Sequence, residues 1–182
     1  RQYQKKLLTP ARAVREMEGL RNVILGMGLA MPPALIRAAA DALRAGHLQP
    51  IDLYYMHGTE VLQESLLQPE LRELVCPRPL FLSASDRKAL KANGYDGWME
   101  FVPASFHEVG RLLTEHIEPD CFMVTVSRMD KHGYFSLGTN ADYGASVIRK
   151  ARKVIVEVNK YMPRTFGECL VHISDIDCIV EN

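Results

Sequence analysis

The sequence lacks a charge excess of either sign: 22 Lys and Arg face 22 Asp and Glu across 182 residues. There is thus no net field to draw in nucleic acid or an anionic membrane surface, and neither is expected as a partner. It lacks any apolar run long enough to span a bilayer. Its start, "RQYQKKLLTP", has no signal-peptide pattern. It is poor in cysteine, and Cys76, Cys121, Cys169 and Cys178 make no C-x-x-C pair, which argues against a zinc or thioredoxin-type site. Cys121 and Cys178 fall in apolar runs and read as small core residues. A reducing, cytoplasmic setting is expected.

Several motifs are missing as well. The six histidines (His47, His57, His107, His116, His132 and His172) form no H-x-x-x-H or H-E-x-x-H pair, so no metal site is expected. There is no G-x-S-x-G elbow and no P-loop. "GMGLAM" lacks the third glycine of a dinucleotide fingerprint, and no acidic residue is placed to hold a ribose. The serines Ser83, Ser85, Ser127 and Ser136 have no evident base beside them.

What is present is alternation. Apolar residues make up 47% and charged residues 24%, as in a globular protein, and the length suits one domain spanning residues 1–182. "NVILGMG" (Asn22 to Gly28) reads as a strand and tight turn. "MPPALIRAAADALRAG" reads as a helix, with Pro32 and Pro33 in its first turn and Gly46 as its stop. "IDLYYMH" is a strand, and "TEVLQESLLQPELREL" is helical but broken near Pro69. "PLFLSAS" (strand), "DRKALKAN" (helix), "MEFVPAS" (short strand) and "FHEVGRLLTEH" (helix) follow. "DCFMVTVS" and "KVIVEVN" are strands around a helix within Asp142 to Arg152, and "DIDCIVE" is the last strand. Near-continuous apolar strands separated by helices predict an α/β fold, a mostly parallel sheet with helices on both faces. The chain starts without Met and stops after a strand, so a fragment of a longer protein is expected.

In such sheets ligands bind beyond the carboxyl ends of the strands. That directs attention to Gly26–Pro33, His57–Glu60, Ser127–Asn140 and Asn159–Gly167. The Gly26-Met27-Gly28 turn allows either a close backbone approach to a ligand at a helix N-terminus or merely a tight turn. His57 and His132 sit at strand ends, where hydrogen bonding within the structure is the plainer reading. Glu157, inside "VIVEVN", reads either as a general base or nucleophile, or as a strand-end residue paired with Arg or Lys; the second is preferred. In "VSRMDKHGYFSLGTN" (Val126 to Asn140), Ser127 ends a strand and Asp130 makes a turn. The residues alone complete no catalytic set.

Three stretches then carry a resemblance. "SRMDKHGYFSLG", "IVEVNKYMPRTFGE" and "VHISDIDCIVE" resemble the acetyl-CoA hydrolase/transferase family, in its 4-hydroxybutyrate CoA-transferase branch. "ILGMGLAMPPALIRAAADAL" and "SDRKALKANGYDGWMEFVPASFHEVGRLL" agree, so the resemblance to the family's N-terminal half covers essentially the whole chain. It implies two tandem α/β halves and a glutamate nucleophile that passes through an acyl-glutamyl anhydride and a glutamyl-CoA thioester. That glutamate belongs to the other half, so no catalytic residue is assigned here and this fragment alone is expected to be inactive. The resemblance places Gly26, Met27, Gly28 and Pro32, with Asn159, Met162 and Pro163, around an acyl or carboxylate pocket. It implies His132 and Tyr134 at the cleft or the interface between halves. Coenzyme A enters as substrate and no tightly bound cofactor is expected. The implied partners are acyl-CoA, a small carboxylate, the C-terminal half and a further copy of the protein. A hydrolase, a non-catalytic acyl-binding domain and a phosphosugar isomerase-like or nucleotide-binding protein are the alternatives.

Overall fold

A computed structural model describes all of residues 1–182. Its eight strands are β1 (Asn22–Leu25), β2 (Ile51–Met56), β3 (Val75–Phe81), β4 (Cys121–Val126), β5 (Tyr134–Ser136), β6 (Lys153–Val158), β7 (Leu170–His172) and β8 (Cys178–Glu181). Its α-helices are α1 (Gln2–Lys6), α2 (Pro10–Arg15), α3 (Pro33–Arg44), α4 (Glu60–Glu64), α5 (Ala84–Ala92), α6 (Val109–Arg111) and α7 (Gly144–Ile148). No helix is long and apolar enough to cross a membrane.

Six strands form one sheet in the order β3-β2-β1-β4-β6-β8, and every neighbouring pair is parallel. β2 and β4 are buried at every position, which is why "IDLYYM" and "CFMVTV" carry no polar alternation. Successive side chains still alternate between faces. Val23, Leu25, Cys121 and Met123 join one core with α2, α3 and α4. Ile24, Phe122 and Val124 join the other with α6 and α7. Helices therefore cover both faces, as the sequence pattern predicts.

The order of the strands reverses between β1 and β4. The chain travels outward through β2 and β3, then returns to place β4 on the other side of β1. Connections leave these two strands in opposite directions, so a crevice opens beyond their carboxyl ends.

Some elements differ from expectation. Residues 99–105, predicted as a strand, form none. Glu100 and Val102 donate backbone N–H groups to the carbonyls of Pro77 and Pro79 on β3, but those prolines have no N–H to return. Only a one-sided ladder can form along that edge. "FHEVGRLLTEH" is helical but mixed: a 3₁₀ turn at Phe106–Glu108, one α turn, then a π run over Leu112–Ile117. β3 starts earlier than predicted, at Val75, and Ser83 and Asp86 cap α5 reciprocally. The antiparallel β5–β7 ribbon and the helices α1 and α2 were not anticipated.

Candidate active-site wall

The chain leaves β1 through Gly26. Its N–H donates to Met123 O on β4 at 3.0 Å, and a Cβ there would stand 2.4 Å from Ala30 O. The close approach that requires this glycine is to the turn's own backbone. A 3₁₀ turn over Gly28–Ala30 follows, with Gly28 at φ +52° and Leu29 exposed. Two side chains brace this segment from below: Tyr143 Oη donates to Leu25 O at 2.6 Å, and Thr125 Oγ1 on β4 donates to Met31 O at 3.0 Å.

Glu157 corrects the preferred sequence reading. It is buried, and no Arg or Lys is its ion-pair partner. Its Oε2 accepts the backbone N–H groups of Ala34 and Leu35 at 2.9 and 3.0 Å, and its Oε1 accepts Asn182 Nδ2 at 2.7 Å. The reason is local sequence. α3 begins with Pro32 at the N-cap and Pro33 at the first helical position, so it has no capping side chain and no N–H at its first residue. The two N–H groups that remain are met by a carboxylate from β6. The signal in the sequence was the Pro-Pro pair, a helix start without a cap. A ligand anion at this helix N-terminus is thereby displaced by an internal one. Burial raises the Glu157 pKa, against the lowering effect of the Leu35 and Ala34 N–H groups, the Asn182 amide and the more distant charge of Arg37.

Beyond these braces lies a hollow of about 220 Å³ over the carboxyl ends of β1, β2, β4 and β6. Gly28, Leu29, Met31 and Pro33 form one wall, Thr59 and Val61 a second, and Thr125, Glu157, Asn159 and Asn182 the floor and far side. Of the seven expected pocket residues, Gly28 and Asn159 meet there. Gly26, Met27 and Pro32 shape the turn without lining the hollow, and Pro33 takes the place expected of Pro32. Met162 is turned away: it is buried against Gly138, where a Cβ would come within 2.3 Å of its Sδ. Pro163 is exposed on the same loop. A larger neighbouring hollow, about 450 Å³, is lined by Tyr3, Arg128, Lys160 and Asn182 among others, and holds neither glycine of the turn.

The stretch Val126 to Asn140 is a self-bracing platform. Asp130 Oδ1 accepts the N–H groups of His132 and Tyr134, and its Oδ2 accepts Arg164 Nη2 at 2.7 Å. Ser127 Oγ accepts the Ser136 N–H at 2.9 Å. Ser136 Oγ accepts the N–H groups of Gly138 and Thr165. The two sequence motifs, Asp130 to Gly138 and Glu157 to Pro163, are thus packed on each other. Tyr134 lies against His172 with ring centroids 4.9 Å apart, and His132 is exposed; neither lines the hollow. His57, at φ +54° after β2, lies against Phe81. No three His, Cys, Asp or Glu side chains gather as a metal site. Glu157 is the one titratable group on the hollow, and its oxygens are engaged. What this wall supplies is shape, the half-buried Gly28 with no side chain, and the amide groups of Asn159 and Asn182.

Comparisons with known proteins bear on the family and the fold. The model of the acetyl-CoA hydrolase/transferase N-terminal domain matches residues 1–182. The chain is 32% identical over 181 residues to succinyl-CoA:cyclohexane-1-carboxylate CoA transferase of Geobacter metallireducens, covering 100% of this chain and 39% of that protein. It is 32% identical over 180 residues to 4-hydroxybutyrate coenzyme A transferase of Clostridium kluyveri, covering 98% and 40%. The crystal structure of RipA from Yersinia pestis matches with a TM-score of 0.94 at 41% identity, over 100% of this chain and 43% of that one. The chain therefore spans about two fifths of the length of the relatives it matches. With the motifs, the parallel sheet and the family match in agreement, the chain belongs to the acetyl-CoA hydrolase/transferase N-terminal domain family.

Proposed function

We propose that residues 1–182 are the N-terminal half of a CoA-transferase that moves CoA between an acyl-CoA and a small carboxylic acid of the 4-hydroxybutyrate, itaconate, butyrate or acetate type. The observation that carries this reading is the meeting of Gly28 and Asn159, one from each characteristic stretch, on a hollow at the sheet's switch point. The hollow has a wall but no free nucleophile, which suits a half-site completed by another part of the protein.

In the proposed reaction, a glutamate outside this chain attacks the acyl-CoA thioester. The C–S bond breaks, CoA thiolate leaves, and an acyl-glutamyl anhydride remains. The thiolate then attacks the glutamyl carbonyl and releases the first carboxylate, leaving glutamyl-CoA. An acceptor carboxylate attacks that thioester, and the returning thiolate takes the new acyl group, which restores the glutamate. No tightly bound cofactor takes part. The enzyme would work in the cytoplasm as a homo-oligomer. In an acetyl-CoA hydrolase, water replaces the acceptor.

The test is to incubate the full-length protein with acyl-CoA and then with borohydride. Inactivation that requires acyl-CoA, with a reduced glutamyl adduct in the peptide map, is the expected result. Release of free CoA without a carboxylate acceptor would favour the hydrolase. Binding of acyl-CoA with no adduct and no turnover would leave the non-catalytic reading standing. Purified residues 1–182 are expected to show no CoA transfer.

A further inference from the structure

We propose that Glu157 and Thr125 are positioning residues, which together set where the Gly28–Pro33 wall stands over the carboxyl ends of the sheet. The inference rests on the reading above, that this wall borders the acyl-CoA cleft. The wall has few internal restraints: the 3₁₀ turn contributes two backbone hydrogen bonds, Ala30 N–H to Met27 O and Met31 N–H to Gly28 O. Pro32 and Pro33 cannot donate at all. Ile36 N–H of α3 donates to Pro32 O at 2.9 Å, and Thr59 Oγ1 makes a weak contact with Met31 Sδ at 3.5 Å. The other anchors come from the two strands beneath it. Thr125 on β4 donates to Met31 O, in the middle of the wall. Glu157 on β6 accepts from Ala34 and Leu35, just past its end. Thr125 and Glu157 are register partners on adjacent strands, so the two anchors rise side by side from one rung of the sheet. Both are almost fully buried and both border the hollow.

The chemistry at each anchor is hydrogen bonding, so an amide can replace the carboxylate at 157. In E157Q the side-chain oxygen still accepts both N–H groups, and its NH2 faces Asn182, whose amide must turn over to present its oxygen. In E157A both are left without an acceptor in a buried place. T125V keeps the side-chain shape but removes the donor to Met31 O. A displaced wall is costly because misplacement by about 1 Å at a reacting centre lowers rates by about 100-fold.

Hydrogen exchange and steady-state kinetics on the full-length protein test this together. E157A is expected to raise amide exchange at Ala34 and Leu35, and T125V to raise it across residues 28–31. Both variants should lower kcat per folded molecule by about 10- to 100-fold. E157Q should restore protection and return kcat to within about threefold of wild type, since its acceptor is kept. If E157A does not fold, T125V and E157Q carry the comparison alone. Wild-type kcat in well-folded T125V overturns the proposal. So does a loss in E157Q as deep as in E157A, which would assign the effect to charge. Absence of CoA transfer in the wild-type protein would instead remove the enzymatic reading, while the exchange data would still report whether the two anchors hold the wall.

Discussion

Gly138 has φ +67°, and a Cβ there would stand 2.3 Å from Met162 Sδ and 3.0 Å from Pro163 O. Gly28 also has positive φ, +52°, but nothing lies within 4 Å of its missing Cβ. The first glycine answers to both conformation and space, the second to conformation alone. G138A should therefore destabilise the protein by about 3 kcal/mol, a left-handed penalty plus overpacking. G28A should cost about 1 kcal/mol. Urea melts of the two variants measure the difference. The G138A/M162A double variant should be more stable than the sum of its parts, since M162A removes the atom that collides. In the sequence Gly28 announced itself as part of a turn, while Gly138 carried no reading of its own. Which of them touched a neighbour depended on where residues 159–163 came to lie.

The start of α3 shows the same dependence between elements. Its boundaries were legible, because Pro-Pro starts a helix and Gly46 stops one. Its cap was not, because that comes from β6, more than a hundred residues away. One consequence can be titrated. Burial holds the Glu157 pKa above its ordinary 4.5, so the folded state binds this proton more readily than the unfolded state. The stability linked to it is fully present below about 4.5 and is lost as pH rises through the folded value. A glutamine does not titrate. The difference in Tm, wild type minus E157Q, should thus be larger at pH 4 than at pH 7. A difference that grows with pH would mean that the N–H groups of α3 outweigh burial. On the other side of the turn, Y143F removes the donor to Leu25 O and should cost about 1 kcal/mol.

Across the whole molecule, carboxylates at opposite ends of the sheet share a different sign. Below it, Asp120 is half-buried, which raises its pKa. The Asn22 and Arg21 N–H groups and Arg152 outweigh that and hold it below 3.8. On the ribbon above, Asp130 is held low chiefly by the Tyr134 N–H; desolvation opposes this, and the His132 N–H and Arg164 add to the lowering. Stability from both is present above about 3.8 and is lost as pH falls toward the folded values. Acid melts between pH 5 and pH 2 should show a shallower fall of Tm with pH in D130N, whose amide cannot gain a proton there. An unchanged slope would show that Asp130 contributes nothing to the acid limit.

The six strands of the parallel sheet and most helices were readable from the chain, because burial on both faces imposes runs of apolar residues that need no knowledge of neighbours. The short β5–β7 ribbon, half exposed, carries no such run, and the strand expected over residues 99–105 does not form. The motifs around Asp130 and Glu157 were readable for their family and their turns. Only the fold decided that Gly28 and Asn159 share a hollow while Met162 leaves it, and that Glu157 serves α3 instead of a cation. Strand order and the seating of one loop on another set those distances, and they arise from contacts between residues far apart in the chain, where local propensity carries no information.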